Sequence, residues 1–259
     1  MSLAFLRPKP RSRAPRPATE PRETADIETS SEAYARRFPG ALGEFLLAPQ
    51  TQALLDLLAP YPGARILELG GGHAQVAPVL VRHGYCVTVV GSDEVCRERL
   101  DRVLAPGEFE FRAADLLDLP FPDRSFDVVV AVRLLAHTER WRQLLGEMCR
   151  VARAAVVFDY SDTRSFNRLY GRFFEWKRAL EGDTRTFRCF APGELAAECA
   201  RHGFPRSRER RELFVPMVVH RTLRAVPVSR VLEAVSQGAG LTRRFGSPVV
   251  LRAERAVQG

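Results

Sequence analysis

From residue 65 onward the chain alternates short apolar runs with amphipathic stretches. The runs at 65–69, 86–90, 109–113, 126–132 and 154–160 are mostly continuously apolar or β-branched rather than alternating, as in strands covered on both faces. Between them the periodicity turns helical. Residues 75–83 close at Gly84, and 138–153 carry Trp141, Leu144, Leu145, Met148 and Ala152 along one face. A further helix is predicted over 94–103. Repeated β-α units joined right-handedly predict an α/β fold, an open, doubly wound, mostly parallel sheet of seven strands with helices on both faces. Such a sheet binds its ligand at the carboxyl ends of the strands.

The flanks add to this core. Residues 31–38 and 45–58 read as helices laid before the sheet, with a break at Pro39-Gly40. After residue 160 an insert over 161–190 brings Phe166, Leu169, Tyr170, Phe173, Phe174 and Trp176, an aromatic surface that must cover something. A helix over 192–202, with Pro192 at its first turn and Gly203 past its end, returns the chain to the sheet. Late strands are predicted near 208–214 and 248–252, separated by a helical excursion over 217–237. The plan is one domain over 29–259, with its core at 44–160 and 191–253 and helical lid inserts at 161–190 and 216–240. Residues 1–28, rich in Pro, Arg, Thr and Glu, are expected to be a disordered basic tail.

Composition narrows the function classes. With 46% hydrophobic and 27% charged residues over 259 positions, the chain is ordinary globular material. No apolar run reaches bilayer length, so no membrane span is expected. The first residues lack the charge-then-apolar order of a signal peptide, and five cysteines without a C-x-x-C pair suit a reducing compartment, which together predict a cytoplasmic protein. The same spacing predicts neither a disulfide framework nor a metal site. Half of the net charge of +8 sits in residues 1–24, and all basic residues but Lys9 and Lys177 are arginine. That distribution argues against a dedicated nucleic-acid track.

The most informative stretch is Ile66-Leu67-Glu68-Leu69-Gly70-Gly71-Gly72-His73-Ala74, a strand running into a glycine turn and a helix. Glycines there permit positive φ and close approach of a ligand to the backbone. A dinucleotide fingerprint would need glycine where Gln75 stands. The Glu-x-Gly-x-Gly pattern instead resembles the class I S-adenosylmethionine-dependent methyltransferases, of the small-molecule and quinone-type branch, whose fold is Rossmann-like. The resemblance assigns Glu68, Gly70, Gly71 and Gly72 to the methionine part of S-adenosylmethionine, with Ala74 in place of the family's third glycine. It continues through Asp115-Leu116-Leu117-Asp118-Leu119-Pro120-Phe121, where Asp115 and Leu116 would meet the adenine, and to Arg133 after the fourth strand, near the cofactor's amino-acid end. One departure stands out. The acid expected to take the ribose hydroxyls falls on Gly91, and Asp93 two residues later either swings in or caps the following helix.

Further candidates surround this turn. His137 either acts as a general base or fixes its loop, and Asp159 with Tyr160 ends the fifth strand where a substrate would sit, with Tyr160 the second catalytic candidate. His220 could line the pocket, and His73 is expected to face solvent. The resemblance implies an enzyme that moves the sulfonium methyl of S-adenosylmethionine to a small, apolar or aromatic acceptor by in-line displacement. An RNA or protein methyltransferase and a non-catalytic partner subunit of the same fold are the rival readings.

Overall fold

The computed structural model describes residues 22–165 and 187–256. The chain enters through three helices, α1 (Ala25–Thr29), α2 (Glu32–Ala35) and α3 (Gly40–Leu58). Then come β1 (Arg65–Leu69), α4 (Ala77–Arg82), β2 (Cys86–Gly91), α5 (Leu100–Val103), β3 (Phe109–Ala113), β4 (Phe126–Ala131), α6 (Trp141–Val151) and β5 (Ala152–Asp162). The last part supplies β6 (Cys189–Phe190), α7 (Glu194–Arg201), β7 (Arg206–Leu213), α8 (Met217–Leu223), α9 (Val226–Gly238), α10 (Leu241–Phe245) and β8 (Ser247–Glu254).

The sheet runs β3-β2-β1-β4-β5-β8-β7, with β6 paired to the end of β5. β1 to β5 pair with one another in parallel, while β8 is antiparallel to both β5 and β7. Because β1 has β2 on one side and β4 on the other, the strand order reverses there, and the ligand crevice of a doubly wound sheet opens at such a point.

Alternation along the strands divides the core into two layers. Leu67, Leu69, Val129, Ala131, Val156 and Phe158 meet Trp141, Leu144, Leu145 and Met148 of α6 on one face. Ile66, Val87, Val89, Val128, Val130 and Val157 meet Leu54, Leu57 and Leu80 on the other. All of these are fully or almost fully buried, and each such side chain contributes roughly 1.5–3 kcal/mol of transfer free energy.

Several elements differ from the sequence expectation. The tail expected to run to residue 28 gives way to helix by Ala25, because Asp26 and Thr29 are buried against the core. The helix expected over 94–103 is split into a 3-10 turn at Glu94–Arg97 and α5. The excursion after Met217 is two helices, interrupted where Arg224 takes a left-handed φ of 49°. β6, two residues long, has no pattern of its own in the sequence. The aromatic positions Phe166, Leu169, Tyr170, Phe173, Phe174 and Trp176 lie outside the described residues.

Candidate functional site

The glycine turn sits at the carboxyl end of β1. Gly70 takes a left-handed φ of 69°, and a 3-10 turn over Gly71–His73 leads to Ala74, also left-handed at 56°. Its three glycines are required by crowding as much as by φ. A side chain on Gly71 would run into the Glu68 carboxyl, and one on Gly72 into Ser30 Oγ and the Cys96 carbonyl. At Gly70 a Cβ would stand 3.3 Å from Asp26 Cβ and 3.2 Å from Leu134.

Beneath the turn lies Glu68, fully buried, with neither carboxylate oxygen hydrogen-bonded. Burial pushes its pKa up to about 8, against a smaller opposite pull from the Ala77 amide. His73 Nε2 is 3.8 Å from it and equally unpartnered, while Nδ1 accepts from the Gln75 N–H at 3.1 Å. Burial, with Arg133 nearby, lowers the His73 pKa to about 3, so the ring is neutral. His73 therefore lies inside the site rather than facing solvent as expected.

At the end of β2 the expected acid is absent for a steric reason, since a Cβ on Gly91 would stand 2.6 Å from Cys96 Cβ. A carboxylate is nevertheless present at this strand end, supplied by α1. Asp26 is fully buried, and its two oxygens accept from the Ser92 N–H at 2.7 Å and the Ser92 hydroxyl at 2.6 Å. Ser30, one turn on, donates to the Asp26 carbonyl at 2.7 Å. Helix α1 thus lies directly over Gly70 and Gly72. Asp93 is exposed and accepts from the Val95 N–H at 2.9 Å, so of its two readings the structure places it as a cap.

On the other side of the turn, Asp115 is half-buried and its Oδ1 accepts from the Leu117 N–H at 2.9 Å, which bends the chain after β3 and buries Leu116 beside it. Arg133, left-handed at φ 59°, donates its backbone N–H to Asp159 Oδ1 at 2.7 Å. Its guanidinium lies 4.5 Å from the ring centre of Phe38. His137 ends a 3-10 turn after β4 with its ring 5.7 Å from that of Phe187.

Asp159 and Tyr160 point to opposite faces of β5, and this separates their roles. Tyr160 is buried among Trp141 and Phe190 and donates to Glu209 at 2.9 Å. Burial and the adjacent Glu209 push its pKa well above the usual tyrosine range. The phenol is a packed strut, turned to the face of β5 opposite Asp159. Asp159 instead faces α3, accepting from Gln50 Nε2 at 2.8 Å. On the same face lies Glu212 of β7, 3% exposed and with both oxygens unpartnered, its pKa raised by burial and by the Asp159 charge. Sequence reading missed Gln50 and Glu212, which nothing in the sequence sets apart from the other polar residues of α3 and the other acid of β7. His220, expected near the pocket, is fully buried, bonded to Glu233 at 3.1 Å and edge-on to Phe45.

Residues 67–158 match the family described as methyltransferase domain. A fatty-acid O-methyltransferase of Mycolicibacterium smegmatis is 35% identical over 128 residues, 47% of this chain and 44% of that protein. Phthiotriol/phenolphthiotriol dimycocerosates methyltransferase 1 of Mycobacterium ulcerans is 31% identical over 145 residues, covering 54% and 50%. The chain spans about half the length of these relatives. Among solved structures, a methyltransferase of Thermotoga maritima described as a possible histamine N-methyltransferase superposes with a TM-score of 0.63 at 19% identity, over 89% of this chain and 99% of that one. Magnesium protoporphyrin IX methyltransferase of Synechocystis gives 0.61 at 14% identity, over 90% and 98%. Residues 67–158 thus carry a likeness to the methyltransferase domain family, and the superpositions show that the whole sheet shares the fold of those structures.

Proposed function

We propose that the chain binds S-adenosylmethionine and transfers its methyl group, by direct in-line displacement, to a small apolar acceptor of lipid-like character. The observation that carries this reading is the glycine turn over an unpartnered, buried Glu68 at the strand-order reversal. A carboxyl stranded without a hydrogen bond fits a site whose missing partner is a cationic ligand group. Glu68, Gly70, Gly71 and Gly72 would hold the amino-acid end with Arg133 close by, and Asp115 with Leu116 the adenine end. When bound, S-adenosylmethionine supplies an electrophilic methyl carbon on a sulfonium.

The chain's own residues then have three tasks. Leu116, Leu134 and the apolar flank of α1 exclude water from the turn. The Asp159–Glu212 pair, held by Gln50 and the Arg133 amide, keeps a proton-accepting carboxyl on the α3 face in place of the unsuited Tyr160. Helix α1 must lift for the cofactor to reach Gly70 and Gly72, and the Asp26–Ser92 hydrogen bonds are what it exchanges. The lipid-like acceptor is supported by relatives named for fatty acids and dimycocerosates.

Titration calorimetry with S-adenosylhomocysteine tests the first part, a micromolar affinity corresponding to about 8 kcal/mol. Incubation with methyl-labelled S-adenosylmethionine and a panel of long-chain acids and alcohols tests the second. Label that enters only RNA or protein would sink the lipid reading. A second reading, a non-catalytic subunit with this fold, is favoured by Asp26 and Ser30 filling the space over the turn. Complete absence of heat with a folded protein would establish it.

A further inference from the structure

Helix α9 is built inside out. Its buried positions are Ser229, Glu233 and Ser236, whereas Val228, Val231, Leu232 and Val235, spaced i, i+3, i+4 and i+7, are 36–66% exposed. An amphipathic helix that only covered a core would turn that stripe inward. It cannot rotate, because Glu233 is anchored from below. Its carboxylate accepts from the Phe214 and Val215 N–H groups at 3.0 and 2.9 Å and meets the buried His220 at 3.1 Å. Helix α8 extends the apolar surface with Val218, Val219 and Leu223, also exposed.

The charges along this segment of the chain have one sign. Between residues 214 and 246 the basic side chains are Arg221, Arg224, Arg230, Arg243 and Arg244, and the sole acid is the buried Glu233. All but Arg221 are classed as exposed, and none forms an ion pair among the described residues. We infer that α8 and α9 form a docking face for an anionic lipid bilayer, the valines entering the headgroup boundary and the arginines meeting lipid phosphates. No helix among the described residues is long and apolar enough to cross a membrane, so the contact is with the surface. A second copy of the chain would set arginine against arginine across a two-fold axis, which disfavours that occupant.

The location matters to the chemistry. Phe45 of α3 packs edge-on against His220 of α8 at 5.5 Å, and the same α3 carries Gln50 to Asp159. A lipid leaving the bilayer at this face would meet the α3 side of the site. This consequence rests on the lipid-acceptor reading, whereas the docking itself does not.

The test is sedimentation of the full chain with phosphatidylcholine vesicles and with mixed phosphatidylcholine–phosphatidylglycerol vesicles, for wild type and for Val231→Glu/Val235→Glu. Wild type should pellet with the anionic vesicles, lose most of that retention in high salt, and bind roughly tenfold more strongly than the double variant. The Arg-rich N-terminal residues are common to both proteins, and Val231→Ser/Val235→Ser, which keeps the net charge and should also lose most of the retention, separates the stripe from the added negative charge. Melting temperature and S-adenosylhomocysteine affinity, measured alongside, should be unchanged, which keeps failure here distinct from failure of the methyltransferase reading. No retention on anionic vesicles, equal retention of the variant, or a wild-type dimer that the substitutions split into monomers would each overturn the proposal.

Discussion

The two halves of the sheet are built under different rules. In β1, β2 and β4 the strand cores are apolar on both faces, and the polar group of consequence, Glu68, is hidden beneath a turn. The outer strand β7 reads Arg206-Ser207-Arg208-Glu209-Arg210-Arg211-Glu212-Leu213, and on one face its side chains pair with the end of β5, Glu209 with Tyr160 and Arg211 with Asp162 at 2.7 Å. Helix α9 beyond it even turns its apolar stripe outward. The inner half is specified by packing around a ligand crevice, while the outer half is specified by what it pairs with. Substitutions should therefore cost most where backbone and crevice coincide, and least where a single polar strut is removed.

The largest expected effect comes from Gly70→Val. A β-branched residue at φ 69°, pressed against Asp26 and Leu134, should cost on the order of 2 kcal/mol or more of stability and abolish measurable S-adenosylhomocysteine binding. Denaturant unfolding and calorimetry on the same preparation would show whether the inner half is as unforgiving as its geometry implies.

Glu68→Gln probes the other inner-half rule. Glu68 has a folded pKa of about 8 against an ordinary 4.5, so its contribution to stability is fully present below the unfolded value and lost as pH rises through 8. In the absence of ligand, the Gln variant should come close to wild type near pH 5 and exceed it by on the order of 4 kcal/mol at pH 8.5. Melting curves at both pH values check the crossing, and a variant less stable at high pH would mean that the carboxylate has a compensating partner.

Asp26→Ala should lower stability by about 1–3 kcal/mol, because the Ser92 amide and hydroxyl lose a buried acceptor. If α1 closes the crevice, affinity for S-adenosylhomocysteine should rise severalfold in the same variant. A fall in affinity would instead make Asp26 the ribose partner that Gly91 cannot be. The smallest effect belongs to the outer half. Tyr160→Phe removes one hydroxyl donor to Glu209 and should cost about 1 kcal/mol, with turnover unchanged. A collapse of turnover at constant melting temperature would restore the phenol to the chemistry.

This division also governs what the sequence made legible. β1 matches its predicted range, and β2, β4 and β5 are found within two residues at each end, because strands buried on both faces leave continuous apolar runs, while the edge strand β3 matches through its alternating Phe-Glu-Phe-Arg pattern. The glycine turn was equally visible, since its conformation and crowding admit little else. Asp26 was not, because one acid among several in a Pro- and Arg-rich stretch gives no period, and its partner Ser92 lies 66 residues away. Gln50 and Glu212 were hidden for the same reason, both depending on tertiary placement across α3, β5 and β7. Tyr160 was misread because its place at a strand end suggested a crevice, whereas alternation along β5 turns it to the face opposite Asp159.

Helix α1 also puts a chemical clock into the molecule. The Cys96 thiol is fully buried with its Sγ 3.4 Å from Asp26, and burial together with that carboxylate raises its pKa to about 11. While α1 is down, the sulfur is both shielded and protonated, hence inert to alkylating reagents. Lifting α1 removes the cover and the repelling charge in one movement. In a background where the exposed Cys86 and the half-buried Cys189 are replaced by serine, the alkylation rate of Cys96 would read out the open fraction of the crevice, with neither cofactor turnover nor a known acceptor required.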